Sequence, residues 1–365
     1  YADMRKGFHV DWNSYIFNYA RAEVVSFLIS SAHFWLKIFH ADGIRVDAVN
    51  SILRLDFSRK DGEWEPNEDG GNENKEAVIF LQKLNDSLAK NFPDVLSIAE
   101  EASDWPGITA PTSKDGLGFN MKWMMGWRHD VFTYCKKLPV NRVLAQNDLT
   151  FSIHYFYDEV FMLPLSHDEV VHGKSPMIYK MPGNEWEQFA NLRLLYSYMF
   201  THPGAKLLFM GNEFGQTSEW NYKSELDWEL LQFESHNGLQ ECVRKLNFLY
   251  QQQPALHQLQ FQVKGFEWID IYHAKDGILV YKRNGRDKTN DLLMIMNVTN
   301  IARDLWPVKV KGKLHWHEIF NSNDTAYWGS GLHLNPDIGI KIVDKKAKLV
   351  ILKINIPSFG FIILQ

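Results

Sequence analysis

Cysteine is scarce in this 365-residue chain: only Cys135 and Cys242 are present, far apart. That spacing argues against a disulfide framework and favours a reducing compartment. Long apolar runs are missing too, since even Leu349 to Leu364 is interrupted by Lys353, Asn355 and Pro357. No stretch is therefore read as a membrane span. Positive charge is not in excess either, because 39 Lys and Arg face 44 Asp and Glu for a net charge of −5. A basic surface for nucleic acid or anionic lipid is not expected. The first residues, Tyr-Ala-Asp-Met-Arg-Lys, lack the apolar segment of a leader peptide. No internal repeat or low-complexity tract occurs.

Aromatic residues are plentiful, with 13 Trp, 14 Tyr and 24 Phe. Flat rings with a polar edge pack against the C–H faces of sugars, although most rings in any protein fill its core. The length suits one large domain and a smaller one.

The chain is organised around Ala41 to Val49. Ile44, Val46 and Ala48 alternate with Arg45 and Asp47, so the period of two in a strand puts the arginine and the aspartate on one face. A guanidinium beside a carboxylate keeps it ionised and fixes its direction, as a nucleophile requires. A structural salt bridge would use the same pair, and what separates the two readings is the rest of the chain.

Before this strand, Val25, Leu28, Ile29, Ala32, Trp35, Leu36 and Phe39 recur at helical spacing, predicting a helix over 22–39. After it, Ser51 to Asn74 is polar, acidic and rich in glycine turns, and reads as a long ordered loop. Ala77, Phe80, Leu81, Leu84 and Leu88 mark a second helix, and Val95 to Glu101 a buried strand ending in two acids. Gly118 to Asp130 is taken as a strand end and loop. Phe161 to Asp168 is an apolar run ending in a charged pair, Glu185 to Phe200 a helix, and Ala205 to Glu213 another strand. Polar groups at successive strand ends with helices between them are the pattern of a parallel (β/α) barrel, whose active site lies at those ends.

Gly238 to Gln253 is read as a last helix. Beyond about Leu259 short alternating strands take over, at 278–283, 292–298, 314–320, 349–356 and 359–364. The predicted division is therefore an α/β part at 1–258 and an antiparallel β domain at 259–365.

Three strand ends carry acids: Asp47, Glu100 or Glu101, and Asp168 with His167 beside it. Adjacent strand residues face opposite ways, so only one of the two glutamates enters a barrel lumen. Retaining glycoside chemistry needs a carboxylate nucleophile and a second carboxyl as acid and then base. A rival reading takes His167-Asp168-Glu169 and His172 as metal ligands, but the histidines are five apart on a strand-to-loop segment, and a helical zinc pair is four apart. His172, Lys174 and Glu213 are further substrate contacts to consider, with Trp64 and Trp105 as sugar platforms.

The motifs Ala41–Val49, Ile98-Ala-Glu-Glu101 and Leu165-Ser-His-Asp168, in that order, resemble the α-amylase superfamily. Within it, Phe17–Arg21, Asp56–Trp64 with Pro66-Asn67, Leu165–Lys174, Phe209–Phe214 and Leu226-Asp-Trp228 are similar to the bacterial 1,4-α-glucan (glycogen) branching enzyme family.

The resemblance implies Asp47 as nucleophile, Glu100 as general acid/base and Asp168 as transition-state stabiliser, with Arg45 and His167 orienting the sugar. It implies transfer of an α-1,4-glucan chain to a glucose 6-hydroxyl without metal or other cofactor, by a cytoplasmic monomer. It also implies a (β/α)8 TIM barrel lacking its first strands here, followed by a β-sandwich: the C-terminal portion of a longer enzyme. A hydrolase of the same superfamily, or an inactive glucan-binding fragment, are the alternatives.

Overall fold

A computed structural model describes residues 1–365, which divide into two compact units. The first comprises residues 1–125 and 158–162, the second 126–157 and 163–365. This partition cuts the α/β part at residue 125.

In the first unit, helix α1 (Ala22–Ile38) leads into strand β1 (Gly43–Val46), and helix α2 (Lys75–Asn91) into strand β2 (Leu96–Ala99). Strand β3 (Met121–Trp123) follows, and strand β4 (Phe161–Leu165) begins here. The four run parallel in that order, with Arg45 opposite Ile98, Ile98 opposite Met121, and Trp123 opposite Met162.

The helices cover this sheet because of their spacing. Ala77, Phe80, Leu81, Leu84 and Leu88 of α2 are all buried, as their helical period predicts, each contributing about 1–3 kcal/mol of burial free energy. Asn74 caps α2 by accepting from the Ala77 N–H. On α1 only Ala32 and Leu36 are fully buried, with Val25, Leu28 and Ile29 packed beside them. Trp35 and Phe39, expected on the same inward stripe, are instead exposed and stack on one another with ring centroids 4.8 Å apart.

The segment read as a loop over 51–74 is ordered by its own backbone. Its start belongs to a short helix, Val49–Leu53, and Leu53, Leu55, Asn72 and Asn74 exchange hydrogen bonds that close the excursion. The stretch 118–130 holds strand β3, as expected, but a helix stands where a loop was expected. Behind β3 it forms helix α3 (Met125–Cys135), which opens the second unit and buries Trp127, Val131, Phe132 and Tyr134.

The second unit continues with the end of β4, helix α4 (Glu185–Thr201), strand β5 (Ala205–Leu208) and helix α5 (Glu234–Gln252). A capping box, Asn184 with Glu187, starts α4. Beside β4, the Phe209 N–H donates to the Leu165 carbonyl at 3.0 Å.

Eight antiparallel strands follow. These are β6 (Phe266–Asp270), β7 (Ile278–Arg283), β8 (Leu292–Asn297), β9 (Arg303–Lys311), β10 (Glu318–Asn321), β11 (Gly339–Asp344), β12 (Leu349–Ile356) and β13 (Phe361–Leu364). They form two sheets, β10-β13-β8-β7-β6 and β9-β12-β11. Val280, Ile295, Val308, Leu352, Ile354 and Ile362 meet in one apolar core.

Three of these strands were not predicted. One of them, β9, contains Pro307, which cannot donate to a ladder and is tolerated because β9 is an edge strand paired only with β12.

Candidate active site

In the first unit the site is built where β1 stops. Val46 is the last strand residue, and Ala48 takes a left-handed conformation with φ 46° and ψ 46°. An L-residue pays about 1–2 kcal/mol there, which local contacts must offset. They do so through Glu100. Its N–H donates to the Val46 carbonyl, its own carbonyl accepts from the Val49 N–H, and its side-chain carboxylate accepts from the Ala48 N–H at 2.6 Å.

The turn leaves Asp47 projecting, with its side chain 75% exposed, and the Arg45 guanidinium donates to it at 2.7 Å. At that exposure the pair contributes little stability, so its effect is to orient the carboxylate. The guanidinium in turn lies over the Trp123 ring, 4.2 Å from the centroid, and its Nε makes no hydrogen bond. The ring face therefore supplies the attraction that holds it.

Glu101 faces the other way. It is buried, paired with Lys122 Nζ at 2.6 Å, and accepts from the Ser103 N–H at 2.7 Å. Lys122 also donates to the Ser103 carbonyl, closing a small buried network. Of the two adjacent acids, Glu100 is the one that meets the Asp47–Ala48 turn.

The second unit carries Asp168 and His167 on a 3-10 turn, His167–Glu169, just past β4. His167 Nε2 lies 3.2 Å from one Asp168 oxygen, and Ser166 Oγ donates to the other at 3.4 Å. Arg128 of α3 is 3.9 Å from Asp168 and 3.0 Å from Glu169. Sequence reading missed Arg128, Lys122 and Trp123, since the stretch that holds them was taken as a strand end and loop.

Beyond Asp168 the chain passes through three left-handed residues, His172, Gly173 and Ser175. The Glu219 carboxylate accepts from the N–H groups of Gly173 and Ser175, which hold it below the usual carboxylate range. His167, Asp168, Glu169 and His172 do not form a cluster that could hold a metal ion. Trp105 lies under Arg54, 5.0 Å from ring centroid to guanidinium, and Glu213 lines a separate cavity of about 580 Å³ with Lys206 and Arg244.

Solved structures share this architecture. An α-amylase from H. orenii matches with a TM-score of 0.58 at 17% identity, over 95% of this chain and 65% of that one. A maltogenic amylase from S. marinus matches with a TM-score of 0.56 at 17% identity, over 97% of this chain and 40% of that one. Residues 268–365 match the family described as "Alpha amylase, C-terminal all-beta domain". The likeness to these two amylases is one of fold, and the family match lies on the β domain.

Curated relatives are closer in sequence. The 1,4-alpha-glucan branching enzyme GlgB of Rhodopirellula baltica is 48% identical over all 365 residues, which cover 50% of that relative. That of Aquifex aeolicus is 50% identical over 94% of this chain and 54% of its own length, and that of Marinobacter nauticus 49% over 100% and 58%. Along its whole length the chain is similar to 1,4-α-glucan branching enzymes. It spans about half the length of the curated relatives it matches.

Proposed function

We propose that this chain carries the reacting carboxylates of a branching enzyme, which moves an α-1,4-glucan segment onto a glucose 6-hydroxyl to make an α-1,6 branch in glycogen. Glu100 protonates the departing glycosidic oxygen while Asp47 attacks the anomeric carbon, forming a glycosyl ester on its carboxylate. Glu100, now a base, takes the proton of the incoming 6-hydroxyl, whose oxygen attacks the same carbon and releases Asp47. Asp168 stabilises the positive charge that develops on the sugar in the transition state of each step. Arg45 aims Asp47, and His167 holds sugar hydroxyls.

The observation that carries this reading is the coupling of the two central acids through one turn. Asp47 is held by Arg45, and the next residue, Ala48, donates to Glu100. Retention requires a nucleophile and an acid/base close to one another, and the paired strands β1 and β2 lead into these two acids.

Residues 1–258 act in this reading as part of a (β/α)8 barrel lacking its first strands, and 259–365 as a C-terminal β-sandwich. The chemistry calls for no metal, nucleotide or other cofactor. No helix is long and apolar enough to cross a membrane. A cytoplasmic monomer acting on glycogen or amylose fits this role.

The test is to trap the ester with a 2-fluoro maltosyl fluoride, digest the protein and locate the added mass. A label on the peptide containing Asp47, absent in Asp47→Asn, supports the assignment. A label on another carboxylate, or turnover of the reagent with no labelled peptide, overturns it.

A further inference from the structure

The second unit contains a shallow cavity of about 340 Å³ whose polar lining is Lys136, Lys174, Lys180, Ser175 and Tyr179. No carboxylate lines it, although acids outnumber bases in the chain, 44 to 39. The contrast with the adjacent residue is informative. Lys137 is ion-paired with Asp148 at 3.0 Å, whereas Lys136 and Lys174 have no ion-pair partner. Lys180 is buried, and its ammonium donates to the backbone carbonyls of Lys174 and Ser175. Burial, with the charges of Lys136 and Lys174, depresses the Lys180 pKa, while Glu169 and Glu219 act against the shift.

The wall is also fixed in place. Glu219 ties down the N–H groups of Gly173 and Ser175, and Lys180 ties the carbonyls of the same turn. Every polar side chain on the lining can donate: three ammonium groups and two hydroxyls. A ligand rich in acceptor oxygens and carrying negative charge satisfies such a set, and a tetrahedral phosphate does so with short charge-assisted hydrogen bonds. Tyr179 is exposed at the rim, presenting a ring face to whatever the phosphate is attached to.

We infer that this cavity binds a phosphomonoester or free phosphate, held by Lys136, Lys174 and Lys180. The inference stands apart from the roles given to Asp47, Glu100 and Asp168, and its test needs no turnover.

Inorganic phosphate is titrated into the 365-residue chain by calorimetry at fixed ionic strength, with chloride as the reference anion. Saturable binding is expected, weakened about tenfold or more in K136Q/K174Q and unchanged in K137Q, whose lysine is already paired. Circular dichroism verifies that the variants keep their fold. Absence of saturation, retention of binding in the double variant, or an equal loss in K137Q overturns the inference. Glucose 6-phosphate separates the two sources. Tighter binding than inorganic phosphate, with the difference erased in Y179A, supports a sugar phosphomonoester, and equal binding supports free phosphate.

Discussion

The Ala48 N–H donates to the Glu100 carboxylate at 2.6 Å, while the neighbouring Glu101 is buried against Lys122 at the same distance. Consecutive acids therefore have separable consequences. Glu100→Gln is expected to cut turnover about 10²–10⁴-fold, the range for losing a general acid/base, with little change in stability. Glu101→Gln leaves the Lys122 ammonium buried and uncompensated, at a cost of about 3 kcal/mol in urea unfolding. Initial rates and urea midpoints, measured on both variants, distinguish the two. The roles are exchanged if Glu101→Gln proves stable and inactive while Glu100→Gln turns over.

Arg45 is held between a carboxylate and a ring. Removing the ring by Trp123→Leu frees the guanidinium, and we expect kcat to fall about fivefold, from roughly 1 kcal/mol of lost cation–π attraction, with KM nearly unchanged. Trp123→Phe keeps a ring face and is expected to recover most of the loss. Arg45→Lys is expected to fall further than Trp123→Phe, since an ammonium lacks the planar fork. A rise in KM alone, in steady-state kinetics on amylose, would contradict this.

His202 links pH to stability. It is fully buried, its Nδ1–H donates to the Pro203 carbonyl and its Nε2 accepts from Ser152, so the neutral ring fits the site. Burial pushes its pKa down from 6.5 to about 3. As pH falls below 6.5 the unfolded chain takes up the proton first, so this contribution is complete above 6.5 and is lost progressively toward about 3. His202→Asn is expected to melt lower at pH 8 yet show a shallower decline of Tm between pH 6.5 and 4. Parallel slopes for the two proteins would contradict the assignment.

Local periodicity made the helix at Ala77–Leu88 legible, as well as β7, β8 and β12. It also put Arg45 and Asp47 on one face, and the two do pair, although Asp47 lies just past the strand's end. It did not foresee that the strand stops at Val46, since the left-handed Ala48 is supported by Glu100, 52 residues away.

The partner of Glu101 was hidden for the same reason: Lys122 lies on another strand. Helix α3 escaped because Met125–Cys135 mixes apolar and polar residues with no clear stripe, its burial being set by tertiary packing. Strand β9 escaped because Pro307 argues against a strand until its edge position is known.

Branching of glucan through Asp47 is the proposed reaction. The most direct measurement is proton NMR of amylose incubated with the chain, both alone and joined to the half of a branching-enzyme relative that it does not match. A parallel assay counts new reducing ends. New α-1,6 anomeric signals are expected without a matching rise in reducing ends, abolished by Asp47→Ala. Reducing ends without α-1,6 signal, α-1,6 signal that survives Asp47→Ala, or silence from both forms of the protein would contradict it.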